Sequence, residues 1–204
     1  MPEIKSTLPE TLEKARSAYH SGRFSEAERL CTGILAVNGE SPEVLHLLAL
    51  TQSELGRNDA ALDNYDRALA IRPEFVEALN NRGVVLQGLA RFDEALESYD
   101  RALEISPNYA EALNNRGVIF LELGRFGEAL ESYGRALEIR PDYAEALNNR
   151  GNALLELKRF DEALEGYQRA LAIWPDYAEA LKLAADHPHL AYGGTMEVRK
   201  TWEE

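Results

Sequence analysis

The heptapeptide Glu-Ala-Leu-Asn-Asn-Arg-Gly stands at residues 77–83, again at 111–117 and again at 145–151. Each copy brings together an acid (Glu77, Glu111, Glu145), two adjacent amides (Asn80 with Asn81, Asn114 with Asn115, Asn148 with Asn149) and a base (Arg82, Arg116, Arg150). Such a set binds rather than reacts. An asparagine offers two N–H donors and a carbonyl on a short uncharged arm, which suits the alternating N–H and C=O groups of an extended peptide. Asparagine is also a mediocre helix former, so a doubled asparagine recurring inside a helical pattern asks for a reason.

No other constellation reads as a reaction centre. His20, His46, His187 and His189 are scattered, Cys31 is the single cysteine, and the carboxylates form no evident acid/base pair. The stretch His187-Pro188-His189 lacks the acid or thiol spacing of the usual metal-ligand sets. The expectation is therefore no enzyme, no cofactor and no metal.

The elements that must hold these residues follow from a period. Arg23, Arg57, Arg91, Arg125 and Arg159 each begin a related motif, at steps of 34 residues, and Pro73, Pro107, Pro141 and Pro175 keep the same register. Each unit reads as two helices; in the third, Val76–Leu89 and Asp93–Ile105. Gly22, Gly56 and Gly124 fall just past the first helix, where a left-handed residue closes the last carbonyls, and Ala90 and Lys158 replace that glycine in two units. Asp93 and Asp161 are placed to cap the second helix. Ser41-Pro42-Glu43 reads as cap, N1 proline and dipole-facing acid.

These residues resemble the tetratricopeptide repeat family. Its small residue at the eighth position of the first helix matches Ala15, Ala49, Gly83, Gly117 and Gly151. Its small residue early in the second helix matches Ala27, Ala61, Ala95, Ala129 and Ala163. Its aromatic between the helices matches Phe24, Phe92, Phe126 and Phe160, with Asn58 a departure. The units run 8–41 (divergent, a cap), 42–75, 76–109, 110–143 and 144–177, followed by a capping helix at 178–187 and an irregular segment at 188–204. The apolar residues of that last segment are expected to cover the end of the stack or enter a groove. The resemblance implies an all-α, right-handed solenoid of stacked helix-turn-helix hairpins with a concave groove lined by the first helices.

Family positions two, five, nine and twelve of the first helix line that groove, with position six alongside. They hold Glu77, Asn80, Val84, Gln87 and Asn81 in the third unit. The fourth has Glu111, Asn114, Val118, Leu121 and Asn115, and the fifth has Glu145, Asn148, Asn152, Leu155 and Asn149. Asn81, Asn115 and Asn149 also match the asparagine ladder of the O-linked N-acetylglucosamine transferase repeats and of kinesin light chain, which grips peptide backbone in those relatives. In the alternative, these amides merely bond across to the neighbouring unit. The arginines fit a structural part better, their stems on apolar surface and their heads on nearby acids. Glu97–Arg101, Glu131–Arg135 and Glu165–Arg169 are expected surface pairs. A chaperone-tail clamp is disfavoured, because the second position is acidic and the fifth holds Leu12 and His46 where that clamp wants lysine.

The implied function is a scaffold for an extended or helical peptide, with the flanking acids favouring Lys or Arg in the ligand. The alternative is a substrate-recruiting segment of a larger enzyme such as a glycosyltransferase; self-association is a third option. A formal net charge of −13 disfavours nucleic acid and anionic lipid as partners. One cysteine, no apolar leader in the first residues and no long apolar window point to the cytoplasm.

Overall fold

The computed structural model describes residues 8–175. The helix expected at 178–187 and the irregular segment expected at 188–204 lie outside them. Among the described residues the structure is all-helical: α1 (Leu8–His20), α2 (Phe24–Asn38), α3 (Pro42–Glu54), α4 (Asn58–Ile71), α5 (Val76–Gly88), α6 (Phe92–Ile105), α7 (Ala110–Glu122), α8 (Phe126–Ile139), α9 (Ala144–Glu156) and α10 (Phe160–Ile173). The chain divides into two compact units, Met1–Pro107 and Asn108–Glu204. In the first, α1 through α6 form three hairpins, each packed on the next; in the second, α7–α8 and α9–α10 form two more.

One arginine punctuates every hairpin. At the end of α3, Gly56 takes φ +72°, the Arg57 N–H donates to the Gln52 carbonyl at 2.8 Å and the Gly56 N–H donates to Ser53 at 2.9 Å, a Schellman closure. The same closure recurs at Arg23, Arg91, Arg125 and Arg159. Ala90 (φ 56°) and Lys158 (φ 58°) adopt the left-handed conformation that glycine takes elsewhere, at a steric cost that the closure outweighs.

Each closing arginine also stands at the N-cap of the next helix, and here the capping expectation needs correction. Asp93 and Asp161 lie inside the first turns of α6 and α10, behind Arg91 and Arg159 at the N-cap, and no side chain caps either helix. The arginine head turns instead to the glutamate three residues on, as in Arg91–Glu94 and Arg159–Glu162 at 2.6 Å. These acids and Asp93 still meet the positive end of the helix dipole. Ser41 likewise makes no cap bond to backbone; its hydroxyl donates to the Glu43 carboxylate at 2.6 Å. The i,i+4 pairs expected at Glu97–Arg101, Glu131–Arg135 and Glu165–Arg169 do not form among the described residues, although Asp63 and Arg67 pair at the equivalent place in α4.

The core lies between the two helices of a hairpin and between neighbouring hairpins. Ala27, Ala61, Ala95, Ala129 and Ala163 are fully buried, as are Tyr65, Tyr99 and Tyr133. Small residues are required opposite the tyrosines. A Cβ added at Gly117 would stand 2.6 Å from the Tyr133 ring, and one at Gly151 would stand 2.5 Å from Tyr167. In the first hairpin Cys31 fills the tyrosine's place beside Ala15, and burial pushes its thiol up to about 11. No helix among the described residues is long and apolar enough to cross a membrane.

Candidate functional site

The first helices of the repeats carry every residue singled out above as a ligand contact, and about one helix turn separates positions two, five and nine. In the first unit, α3 and α5 place His46 beside Asn81, whose amide nitrogen lies 3.0 Å from His46 Nε2. Burial holds the His46 imidazole down to about 4, well below its ordinary range. The ring is therefore neutral near pH 7, and Nε2 is its acceptor for the Asn81 N–H. Phe75 lies against it, with ring centroids 4.8 Å apart. Asn80 in turn donates its amide to the Asn81 carbonyl at 3.2 Å.

The second unit repeats the device with asparagine in place of histidine. Asn149 on α9 donates to the Asn114 carbonyl on α7 at 3.1 Å, and Asn114 donates to Asn115 at 3.4 Å. Position six thus reaches the position-five residue of the preceding repeat, and position five reaches its own neighbour. The amides form a zipper between hairpins.

This placement differs from the expectation for one asparagine of every pair. Asn80 and Asn114 are 6% exposed and Asn148 is 0% exposed, so their side chains lie under the surface rather than on it. Asn81, Asn115 and Asn149 are partly exposed at the rim. The helix rotates position five toward the adjacent hairpin, which the spacing of positions by itself does not reveal. Asn148 stands apart from its sisters, for neither its amide nitrogen nor its carbonyl has a partner among the described residues.

The remaining positions two, nine and twelve stay open to differing degrees. Val84 is 47% exposed, Glu77 is exposed, and Val118, Leu121 and Leu155 are partly exposed. Asn152 accepts a hydrogen bond from the Tyr167 hydroxyl at 2.8 Å, which ties the lip of α9 to α10. Gln87 plays that part for Tyr99 at 3.3 Å.

Arg82 is anchored as a structural residue, donating from Nε to Asp66 and from a terminal nitrogen to Ser98, both at 2.7 Å. Arg116 donates to Ser132 at 3.3 Å. Arg150 meets glycine at both equivalent places, Gly134 and Gly166, and makes no ion pair among the described residues.

A second set of groove-side residues escaped the sequence reading. Arg72 pairs with Glu43, and Arg140 pairs with Glu111 at 2.8 Å. Each guanidinium also lies over an aromatic ring, 5.0 Å from Phe75 and 3.5 Å from Tyr143. The Ser41 hydroxyl and the Arg72 guanidinium together hold the Glu43 carboxyl at about 2. The available signal was an arginine 29 residues after the position-two acid in the second and fourth repeats only.

Residues 75–142 match a family model described as tetratricopeptide repeat, residues 114–178 match a second of that description, and residues 53–89 match a third described as TPR repeat. The chain belongs to the tetratricopeptide repeat family. Among solved tetratricopeptide structures, that of MamA superimposes with a TM-score of 0.72 at 21% identity, covering 86% of this chain and 99% of that one. TTC0263, a thermophilic TPR protein of Thermus thermophilus, has a TM-score of 0.70 at 27% identity, with 86% and 96% covered. YrrB, described as a TPR protein with an unusual peptide-binding site, has a TM-score of 0.69 at 23% identity, with 88% and 92% covered. A curated relative, cellulose synthase operon protein C of Xanthomonas axonopodis pv. citri (strain 306), is 41% identical over 56 residues, which span 28% of this chain and 4% of that protein. The fold class is accordingly the all-α tetratricopeptide solenoid, a scaffold fold typical of protein–protein interaction.

Proposed function

We propose that this tetratricopeptide array is a non-enzymatic module that holds an extended or helical peptide segment of a partner protein on its first-helix faces. The observation that supports the reading is what those faces leave open. Apolar groups at positions nine and twelve (Val84, Val118, Leu121, Leu155) stay open two or three turns along the same helices from the acids at position two. Scattered apolar exposure is ordinary, but apolar groups on the same face of each of these first helices offer places for side chains. Asn81, Asn115 and Asn149 add polar contacts at the rim. The Asn81 and Asn149 amide nitrogens each have a second N–H beyond the bond they make, and the Asn149 carbonyl accepts from no group among the described residues. That set can meet a peptide carbonyl and a peptide N–H. YrrB's peptide-binding site, on the same fold, is a parallel for this use of the scaffold.

The test is a selection from a displayed library of twelve-residue peptides, followed by fluorescence anisotropy with the selected sequences. Val84→Asp with Leu155→Asp is expected to weaken those peptides at least tenfold while helicity, read by circular dichroism, stays intact. Undiminished binding in that variant overturns the proposal. The match to a short stretch of a much longer curated protein favours a second reading, a recruiting segment within a larger enzyme. The size of the natural polypeptide on an immunoblot separates the two.

A further inference from the structure

The two arginine clasps show what the position-two acid is able to hold. In the second repeat Glu43 takes the Arg72 guanidinium, and in the fourth Glu111 takes that of Arg140, each cation resting on an aromatic face. The third repeat places Ser106 where the arginine stands, and the fifth places Trp174. Glu77 and Glu145 consequently make no ion pair with any arginine or lysine among the described residues. Glu77 is exposed and Glu145 partly exposed. Each of the two units thus carries one clasped acid and one open acid of the same register.

We infer that Glu77 and Glu145 are the charge-reading positions of this protein, each receiving a lysine or arginine of a basic, extended partner segment, whereas Glu43 and Glu111 are silenced by their own arginines. The inference rests on the peptide-binding reading above and deepens it. Three observations support a basic occupant. The chain's own arginines occupy the equivalent acids, so the bound state of a partner's arginine is already displayed twice within the molecule. The net charge of −13 draws cations toward every face and repels acidic segments. Half-exposed Val84, two turns along α5 from Glu77, offers apolar surface to the long stem of such a side chain. Of the acids singled out for basic ligands from sequence, Glu111 is thereby reassigned to an internal contact.

Fluorescence anisotropy with three labelled twelve-residue probes, alternating Lys-Ala, Gln-Ala and Glu-Ala, tests this. The basic probe is expected to bind most tightly. Exposed pairs are individually weak, so joint Glu77→Gln and Glu145→Gln should loosen it by about three- to tenfold. Ser106→Arg alone, which installs the missing clasp on Glu77 and leaves every acid in place, should also loosen it. Glu97→Gln with Glu131→Gln, on exposed positions of second helices, should not. Equal loss in that control pair overturns the inference, because attraction would then be spread over the whole acidic surface. Preference for the Gln-Ala or Glu-Ala probe, or a concentration-dependent mass showing that a second copy occupies the face, overturns it too. If library-selected peptides bind through Val84 and Leu155 yet ignore Glu77 and Glu145, the charge-reading positions fall and the peptide-binding function stands. If no peptide depends on Val84 and Leu155, both fall.

Discussion

Asn148 and Asn149 are adjacent and chemically identical, yet the structure gives them opposite energetic signs. Asn149 donates to the Asn114 carbonyl at 3.1 Å, and Asn114 is 6% exposed. Asn149→Ala removes that donor and leaves a buried acceptor unpaired, a loss of about 1–3 kcal/mol in comparable cases, here about 1.5 because Asn149 itself is partly wet. Asn148 is 0% exposed and both amide atoms lack a partner among the described residues, a burden of about 1–3 kcal/mol on mutational scales. Asn148→Leu keeps the volume and removes the polarity, so it should stabilise by about 1 kcal/mol after repacking. Equilibrium unfolding in urea, followed by far-ultraviolet circular dichroism, reads both. With a slope of about 2–3 kcal/mol/M, the two midpoints should separate by about 1 M, on either side of the parent protein. Repeat arrays can lose two-state behaviour, so midpoints are compared only where the slopes agree. An unchanged midpoint for Asn149→Ala, or a lowered one for Asn148→Leu, refutes the zipper and returns both amides to solvent and ligand.

Other outcomes follow from single residues. His46 is neutral in the folded state, with its imidazole held down to about 4, whereas the unfolded chain takes up the proton near pH 6.5. Stability is therefore complete above pH 6.5 and falls as the pH drops toward 4, by about 2 kcal/mol between pH 7 and pH 5. His46→Asn, which installs the residue found at this position in later repeats, should flatten that part of the pH profile in thermal melts. Gly134→Asp should give Arg150 the partner that Asp66 gives Arg82, since a Cβ at Gly134 meets nothing within 4 Å. Its melting temperature should rise by about 1–3 °C. Gly166→Ser should not match it, because its Cβ would lie 3.2 Å from the Leu147 carbonyl oxygen, and calorimetry of both variants checks the contrast.

Much of the architecture is legible in the chain because repetition averages out local ambiguity. The 34-residue period, the small residues at Gly83, Gly117 and Gly151, and the turn residues from Gly22 to Lys158 each state a local requirement, and local requirements survive translation into structure. The boundaries of α5 and α6 fall within a residue of the expectation for the same reason. The capping assignment of Asp93 and Asp161 missed because the Schellman closure ends on the arginine, which hands it the N-cap and leaves the aspartate inside the first turn.

What the face of a helix shows to the outside is a different kind of fact. Spacing places Asn80, Asn114 and Asn148 on a stripe with Val84 and Val118, but only the neighbouring hairpin determines that the amides turn inward and the valines outward. The Asn149–Asn114 bond spans 35 residues and exists only once hairpins have stacked, whereas the Arg140–Glu111 clasp spans 29 and exists only once α7 and α8 have closed into their hairpin. Period, turn chemistry and residue size determined the elements and their order, since these depend on backbone geometry within a few residues. Which polar groups are consumed by neighbours and which remain for a partner depended on packing within and between hairpins; inside the α5–α6 hairpin one position, Ser106 where other repeats hold arginine, changes the answer without disturbing any helix.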